Sequence, residues 1–491
     1  MKIYLRYLIY VLCLVLYIYV AATSYGYDDE FINIELIKSL TTNKSLADYI
    51  ILKDVHPPLH YLINKWLFEI FQNWSIVRTI SGILLCISGI FFIEKTRKNG
   101  TSWIRDLTLV LIILLNPAYL LWGTSIRWYS YFVPLLFILL SANKTTNSFR
   151  HWIFFSILIT ILCYIGYGGL FLFPSLFLIH WTKDLSDIKK KIKNAAAAIL
   201  LFAVLYAYQL FILIKFQVHN SGDQTFSLLK SLIGFISSQV SNQGLFPASL
   251  AGIFSILGFS ILYLRDLLIT IKNKKIETGI ISYLIGIIIF FITGIAGKMR
   301  NFVILSPFQN FLFFNPSETR FRKIYITAIC LIFSANIWGV YNVTMHVDTS
   351  KNSWNIPIEE ILETLKKEDK NSVLILNHDS VISHVLVDKG YHIYSPLIDT
   401  KNVNTASIKK VIVLRTYIGS IPPDQYKKLY TAVEFINGKD YKPKITKIGK
   451  DNFYNIKRKI EASYPEYSIE ISQYNKPKNL QQLLIWKNKI K

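Results

Sequence analysis

Long apolar runs separated by short polar loops constrain this chain more than any other feature. A helix that crosses a bilayer needs about 20 apolar residues, and the sequence predicts about eleven such spans. They lie near 4–24, 76–93, 106–123, 128–142, 152–166, 168–181, 195–215, 246–264, 279–296, 302–315 and 324–344. Hydrophobic residues make up 52% of the chain, more than a soluble domain usually carries. We therefore expect a multi-pass α-helical membrane protein whose N-terminal run is a retained signal anchor.

The basic residues indicate how the spans are oriented. The formal net charge is +23, from 54 basic and 31 acidic side chains. Many basic residues cluster in alternate loops, such as 95–105, 183–193, 265–275 and 320–323, which is typical of cytoplasmic loops. The sequence shows no nucleic-acid-binding motif, so we expect no nucleic acid partner. We predict a plasma (inner) membrane protein with a cytoplasmic N-terminus, and with loop 25–75 and the C-terminal region extracytoplasmic.

The composition changes after the last predicted span. Charged residues and prolines become more frequent, and SVLILNH, KKVIVLRTY and YSIEIS are typical of β-strands. Two helical patterns accompany them, one of which follows Pro357. We therefore divide the chain into a membrane domain, 1–345, and an extracytoplasmic α/β domain, 350–491.

The first outer loop, 25–75, contains two predicted helices. The first follows Asp29 and could lie on the membrane surface. The second begins at DVHPPLHY, residues 54–61, because two prolines suit the first helical turn. An apolar stripe follows, formed by Leu59, Leu62, Ile63, Trp66, Leu67 and Ile70. We expect His56 to occupy the N-cap, with Asp54 just before it, at a helix start suited to binding a phosphate.

Other ionisable residues are predicted on the same outer face. Asp28, Asp29 and Glu30 follow the first span, where acids next to lipid indicate a functional site. Arg127 lies in the turn GTSIRWYSYF, and Lys298 and Arg300 lie in GKMRNFVILSP. Acids, a phosphate-suited helix start and arginines on one face favour group transfer from an anionic lipid. The structural alternatives are helix capping by the acids and arginines that extend to lipid headgroups.

As an ordered set, these segments resemble a known family. The acidic pair after the first span, HPPLHY, Arg78 in SIVRTISGILL, SIRWYSYF and RNFVILSP resemble the GT-C glycosyltransferases. The branch they resemble most is the protein-mannosyltransferase and aminoarabinose-transferase type, with Phe302 where that branch has a tyrosine. The resemblance covers about 1–345. It implies the GT-C fold, a polyprenyl-phosphate-linked sugar donor, and inversion at the anomeric carbon.

The resemblance also implies roles for individual residues. Asp29 would be the general base, and Glu30 would support it. If the match to the family's acidic pair shifts by one residue, Asp28 takes the position of the base. Apart from the resemblance, the departing phosphate needs positive charge, which His56, Arg127 and Arg300 would provide, and Asp54 and Lys298 are the further candidates for donor phosphate binding. No metal is required by the pattern. A divalent cation such as Mg²⁺ or Mn²⁺ stays an open alternative, with Asp29, Glu30, Asp54 and His56 as its candidate ligands.

The sequence leaves the acceptor and two other functions open. The acceptor would be an envelope glycan, a lipid such as lipid A, or a protein. One alternative function is a flippase or transporter of lipid-linked glycans, although ionisable residues would then be expected along a path at the bilayer midplane. The other is an oligosaccharide ligase or polymerase, whose large outer loop usually falls late in the chain.

Overall fold

The computed structural model describes most of the helices and part of a β-sheet. It covers 2–23, 56–96, 110, 112–141, 148–181, 188–214, 250–273, 284–289 and 322–344. In the C-terminal region it covers 362, 365–376, 385–387, 389–394, 410–415 and 468–473, and elsewhere 30, 33, 34, 37, 303, 304 and 307. The chain divides into two compact units, of which the first is formed by 1–24 and 36–347 and the second by 25–35 and 348–491.

The first unit is helical. Its helices are α1 (Lys2–Thr23), α2 (Leu59–Phe71), α3 (Trp74–Thr96), α4 (Pro117–Trp122), α5 (Tyr129–Ser141), α6 (Phe149–Ile165), α7 (Gly168–Trp181), α8 (Ile188–Ile212), α9 (Leu250–Asn273) and α10 (Arg322–Thr344).

Four helices of the described part of the chain are long and apolar enough to cross a membrane. They contain the segments Tyr4–Thr23, Trp74–Thr96, Ile192–Ile212 and Ile324–Tyr341. Large apolar side chains on these helices, such as Leu12, Leu200 and Val204, are more than half exposed. Exposing these apolar side chains to water would be unfavourable, whereas exposing them to lipid is not. The helices therefore define a helical membrane protein. The positions of α5, α6 and α7 also coincide with predicted apolar segments.

The predicted span 106–123 is wrong as one continuous helix. The helical backbone that precedes Leu114 ends at Leu114, and α4 begins at Pro117, after the N-cap residue Asn116. The Asn116 side chain accepts a hydrogen bond from the backbone N–H of Ala118. Proline has no N–H to offer the preceding turn, and an asparagine N-cap satisfies the start of a new helix.

Small side chains allow the helices to approach closely. In α9, a Cβ added to Gly258 would lie 2.6 Å from a side-chain carbon of Ile332 and 3.0 Å from the carbonyl of Ala328 in α10. Helices in lipid associate through such close packing, because apolar surface gains little there from leaving lipid. A polar contact joins α1 to α3, where Glu94 pairs with Arg6 at 3.2 Å and accepts a hydrogen bond from Tyr10 at 2.8 Å.

The orientation of α2 is unusual for a helix with an apolar stripe. Its buried side chains are His60, Tyr61, Asn64 and Leu67. By contrast, Trp66 of the predicted stripe is 61% exposed and Ile70 is 53% exposed. The helix therefore places a partly polar face against α3 and α6 and exposes apolar side chains. In a membrane protein this arrangement supplies polar groups to the interior of the helical unit.

The second unit contains a four-stranded parallel sheet in its described part. The strands are β1 (Val373–Leu376), β2 (His392–Tyr394), β3 (Lys410–Arg415) and β4 (Ser468–Gln473), in the order β2-β1-β3-β4. Three of them coincide with the strands predicted from SVLILNH, KKVIVLRTY and YSIEIS. The predicted helix in PPDQYKKLYTAVEFI lies outside the described residues.

Candidate functional site

Three of the eight predicted site residues lie in the described part of the chain. They are Glu30, His56 and Arg127. The other five, which are Asp28, Asp29, Asp54, Lys298 and Arg300, lie outside the described residues, so their roles stay predictions. Glu30 belongs to the second unit, where its backbone is helical and its side chain is fully buried. His56 and Arg127 both belong to the first unit.

The helix that follows the two prolines starts later than the sequence indicates. The N-cap of α2 is Pro58, whose carbonyl accepts a hydrogen bond from the N–H of Leu62 at 3.1 Å. The prediction that His56 occupies the N-cap is therefore wrong, and His56 lies two residues before it. Pro58 already has helical backbone angles, so the helix geometry extends to the second proline and stops there. His56 itself is partly buried.

Arg127 lies in a fully enclosed turn between α4 and α5. Every residue from 123 to 130 is buried, including Arg127 at 6% exposed. The hydroxyls of Thr124 and Ser130 bond to the carbonyls of Leu120 and Arg127, at 2.7 and 2.6 Å. Arginine is rarely this buried, because removing its charge from water costs free energy that a partner or ligand must offset.

The start of α2 and the Arg127 turn meet in the first unit. The rings of His56 and Trp128 have centroids 6.3 Å apart, and those of His56 and His60 are also 6.3 Å apart. Trp128 is held in turn by Tyr129 and Phe132, at centroid distances of 4.2 and 5.2 Å. Two segments that are far apart in sequence therefore form one aromatic and basic cluster.

The charge of Arg127 acts on His60. Burial, and after it the positive charge of Arg127, lower the pKa of His60 to about 3, against weaker raising contributions from the carbonyls of Pro57 and Ile165. His60 is therefore neutral at physiological pH. Those two carbonyls lie near the ring, but neither ring nitrogen of His60 has hydrogen-bond geometry with a partner among the described residues.

A buried polar chain follows one turn further along α2. Tyr131 of α5 donates a hydrogen bond to the Asn64 Oδ1 at 2.6 Å, and Ser81 of α3 lies 3.4 Å from the Tyr131 hydroxyl. The Asn64 Nδ2 has no hydrogen-bond partner among the described residues. A buried polar group without a partner costs about 1–3 kcal/mol. His60 and Asn64 thus carry an unfavourable contribution that a ligand could remove.

Four residues of this cluster are not among the site residues predicted from sequence: His60, Asn64, Tyr131 and Ser81. A signal for the first two was present, because His56, His60 and Asn64 recur every four residues, beside an apolar stripe. Tyr131 lies within SIRWYSYF, but nothing in the sequence points to Asn64 as its partner, and Ser81 had no signal. Arg78, which resembles a family position, is buried in α3 one turn before Ser81.

The described residues contain no group of three or more His, Cys, Asp or Glu side chains that could hold a metal ion. Of the four candidate ligands for a divalent cation, Asp29 and Asp54 lie outside the described residues. A cation requirement therefore stays an open alternative. No protein-family model matches the chain, and no curated protein matches it.

Proposed function

We propose that this protein is an inverting membrane glycosyltransferase of the GT-C type. It would transfer a sugar from a polyprenyl-phosphate carrier to an envelope glycan, lipid or protein on the outer face of the membrane. The observation that carries the proposal is the meeting of HPPLHY and SIRWYSYF in one buried cluster, where His56 contacts Trp128 and Arg127 acts on His60. These are two of the motifs on which the resemblance to the family rests.

The cluster has the chemistry that release of a lipid phosphate requires. The leaving group gains negative charge as the bond between the anomeric carbon and the phosphate oxygen breaks. Buried positive charge and hydrogen-bond donors stabilise such a developing charge strongly, because little water competes with them. Arg127 supplies the charge, and the imidazole groups of His56 and His60 supply ring nitrogens that can donate a hydrogen bond.

The reaction also requires one base. In the proposed step the acceptor oxygen or nitrogen forms a bond to the anomeric carbon from the face opposite the phosphate. The bonding electrons leave with the phosphate, and the acceptor proton passes to the carboxylate of Asp29, which Glu30 supports. A positioned base contributes about 10²–10⁴-fold to such a reaction. A second carboxylate acting as a nucleophile is unnecessary, since the donor is already activated.

The finer architecture belongs to the same proposal. About eleven spans, a cytoplasmic N-terminus and an extracytoplasmic C-terminal α/β domain would place loop 25–75 on the side where lipid-linked donors are used. The positive charges in alternate loops support this orientation. The parallel sheet of the second unit would belong to a domain that helps to seat the acceptor.

The test is sugar transfer by membranes that contain the full-length protein. The donor is a pool of radiolabelled polyprenyl-phosphate sugars, and wild type is compared with Asp29→Asn, Asp28→Asn and Arg127→Gln at matched protein levels. We expect Asp29→Asn to abolish transfer, Arg127→Gln to reduce it at least tenfold, and Asp28→Asn to retain it.

Normal transfer by both aspartate variants would show that neither acid is the base. If wild type transfers sugar from none of the donors, the glycosyltransferase proposal is wrong. Vesicles that contain the protein and a fluorescent lipid-linked glycan would then test the transporter alternative, because a transporter moves the label across the bilayer without forming a new glycosidic bond.

A further inference from the structure

We propose that His60 and Asn64 form a two-point binding site for a glycosyl phosphate. His60 binds an anionic phosphate oxygen, and Asn64, oriented by Tyr131, binds a hydroxyl of the attached sugar. The inference rests on the proposed function, since the ligand would be its donor substrate. It adds a residue that selects the sugar, which neither the motifs nor the resemblance assigns.

The first observation is that both side chains are buried with unused polar atoms. His60 and Asn64 are fully buried, and the two ring nitrogens and the Asn64 Nδ2 have no hydrogen-bond partner among the described residues. Buried polar side chains in folded proteins are nearly always paired, so an unpaired set in one place requires a reason. A ligand that bonds to both side chains supplies that reason.

The second observation is the spacing of the two residues. They lie four positions apart on α2, so they share a face of the helix about one turn, or roughly 5–6 Å, apart. A phosphate joined to a sugar has an anionic end and a neutral hydroxyl at about this separation. The separation is compatible with this ligand, and the polar atoms of the two side chains assign its two ends.

The third observation assigns the anionic end to His60. The charge of Arg127 opposes protonation of His60, so the two groups repel when both are positive. An anion bound between them would offset this repulsion and would accept hydrogen bonds from both. Asn64 is fixed differently, because its Oδ1 already accepts from Tyr131 and its Nδ2 is left to donate to a neutral oxygen.

Binding to the full-length protein in phosphatidylcholine nanodiscs tests the inference. The probes are inorganic phosphate, undecaprenyl phosphate, undecaprenyl-phosphate sugars with glucose, galactose, mannose or arabinose, and phosphatidylglycerol as a general anionic headgroup. The variants are His60→Leu and Asn64→Leu. Lys65→Gln is the matched control, because Lys65 lies on the same helix and pairs with Glu69 at its surface.

We expect His60→Leu to weaken binding of undecaprenyl phosphate and its glycosylated forms roughly 10- to 100-fold. Asn64→Leu should leave undecaprenyl phosphate unaffected and weaken the preferred glycosylated form roughly 2- to 10-fold. Lys65→Gln should change neither affinity. If His60→Leu weakens the binding of inorganic phosphate as well, His60 recognises the phosphate group without help from the sugar or the polyprenyl chain. Phosphatidylglycerol should bind without dependence on either residue.

The inference is overturned if both leucine variants bind every probe as wild type does. It is also overturned if wild type binds no phosphate probe, or if phosphatidylglycerol alone depends on His60. Should His60→Leu fail to fold, His60→Gln replaces it with the same expectation for undecaprenyl phosphate. Binding requires no turnover, so a protein that binds as expected and transfers no sugar refutes only the proposed function. Transfer with binding independent of both residues refutes only the two-point site.

Discussion

Tyr131 on α5 donates a 2.6 Å hydrogen bond to the Oδ1 of Asn64 on α2, which ties these two helices together. Tyr131→Phe would leave the Asn64 oxygen buried and without its donor. We expect a loss of about 1–3 kcal/mol in the free energy of unfolding, measured by thermal or denaturant unfolding in detergent.

A double-variant cycle separates this bond from general packing. In Asn64→Leu with Tyr131→Phe, both partners are absent, so the combined loss should be smaller than the sum of the two single losses. Additive losses would show that the two side chains do not interact in the folded protein.

Gly166, between α6 and α7, has no room for a side chain. A Cβ there would lie 2.4 Å from the Cε3 of Trp128, whose ring is already held by Tyr129 and Phe132. The backbone of Gly166 is extended, so the obstacle is the ring and not the backbone conformation. We expect Gly166→Ala to cost about 1–3 kcal/mol of stability through overpacking and to displace Trp128 from His56.

A second substitution provides the control for this prediction. Trp128→Phe removes part of the ring that the new Cβ would meet, so Gly166→Ala combined with Trp128→Phe should regain part of the lost stability. Unfolding measurements on the three variants test this. If Gly166→Ala is as stable as wild type, the Trp128 ring does not lie against Gly166.

The long membrane helices could be predicted from sequence, but the inward face of α2 could not. The observed ends of α1, α3 and α10 fall within about three residues of the predicted spans, because in lipid a long apolar run satisfies its backbone only as a helix. The apolar stripe of α2 was also predicted. In water that stripe would be the buried face, and the exposure of Trp66 and Ile70 reverses the expectation.

The candidate site could likewise be predicted from sequence only in part. HPPLHY and SIRWYSYF were recognised as separate motifs because each has a local pattern of prolines, histidines or aromatic residues around an arginine. The bond between Asn64 and Tyr131 joins positions far apart in the chain, and nothing near either residue in sequence encodes the partner. The break at Asn116 had a local signal, since Asn-Pro favours a turn, but this dipeptide lies inside a continuous apolar run that by itself predicts one span.

The proposed orientation of the membrane domain predicts which cysteines an impermeant reagent can reach. Helix α3 has 23 residues, and a rise of about 1.5 Å per residue lets it cross the bilayer. Glu69 lies before this helix and Lys95 near its end, and both residues are exposed. In intact cells or right-side-out vesicles, an impermeant maleimide should label Glu69→Cys, and it should label Lys95→Cys only after permeabilisation.

The natural cysteines allow a clean background for this labelling. Cys13, Cys86 and Cys163 are buried, and Cys330 is exposed, so Cys330→Ser serves as the parent protein. Labelling of Lys95→Cys in intact cells and of Glu69→Cys only after permeabilisation would reverse the proposed orientation. It would also place His56 and Arg127 on the cytoplasmic side.

The buried His60 predicts a pH dependence of stability. Its pKa in the folded protein is lowered to about 3, mainly by burial and then by Arg127, from an ordinary value of 6.5. Between these two values the unfolded chain binds a proton that the folded protein does not. Stability is therefore lost as the pH falls from about 6.5, by at most about 1.4 kcal/mol per pH unit. His60→Leu should remove this contribution.

The measurement compares unfolding of wild type, His60→Leu and Lys65→Gln at pH 7.5, 6 and 5. The other charged or titratable groups shown to act on His60 or to lie beside its ring are Arg127, His56 and Tyr61. All three are present in every variant, so the difference between wild type and His60→Leu isolates the His60 proton. Leucine also removes two buried nitrogens without hydrogen bonds, so this variant should be at least as stable as wild type at pH 7.5. Equal losses at pH 5 in all three proteins would mean that His60 already takes up its proton in the folded state, and that an anion or carboxylate holds it there.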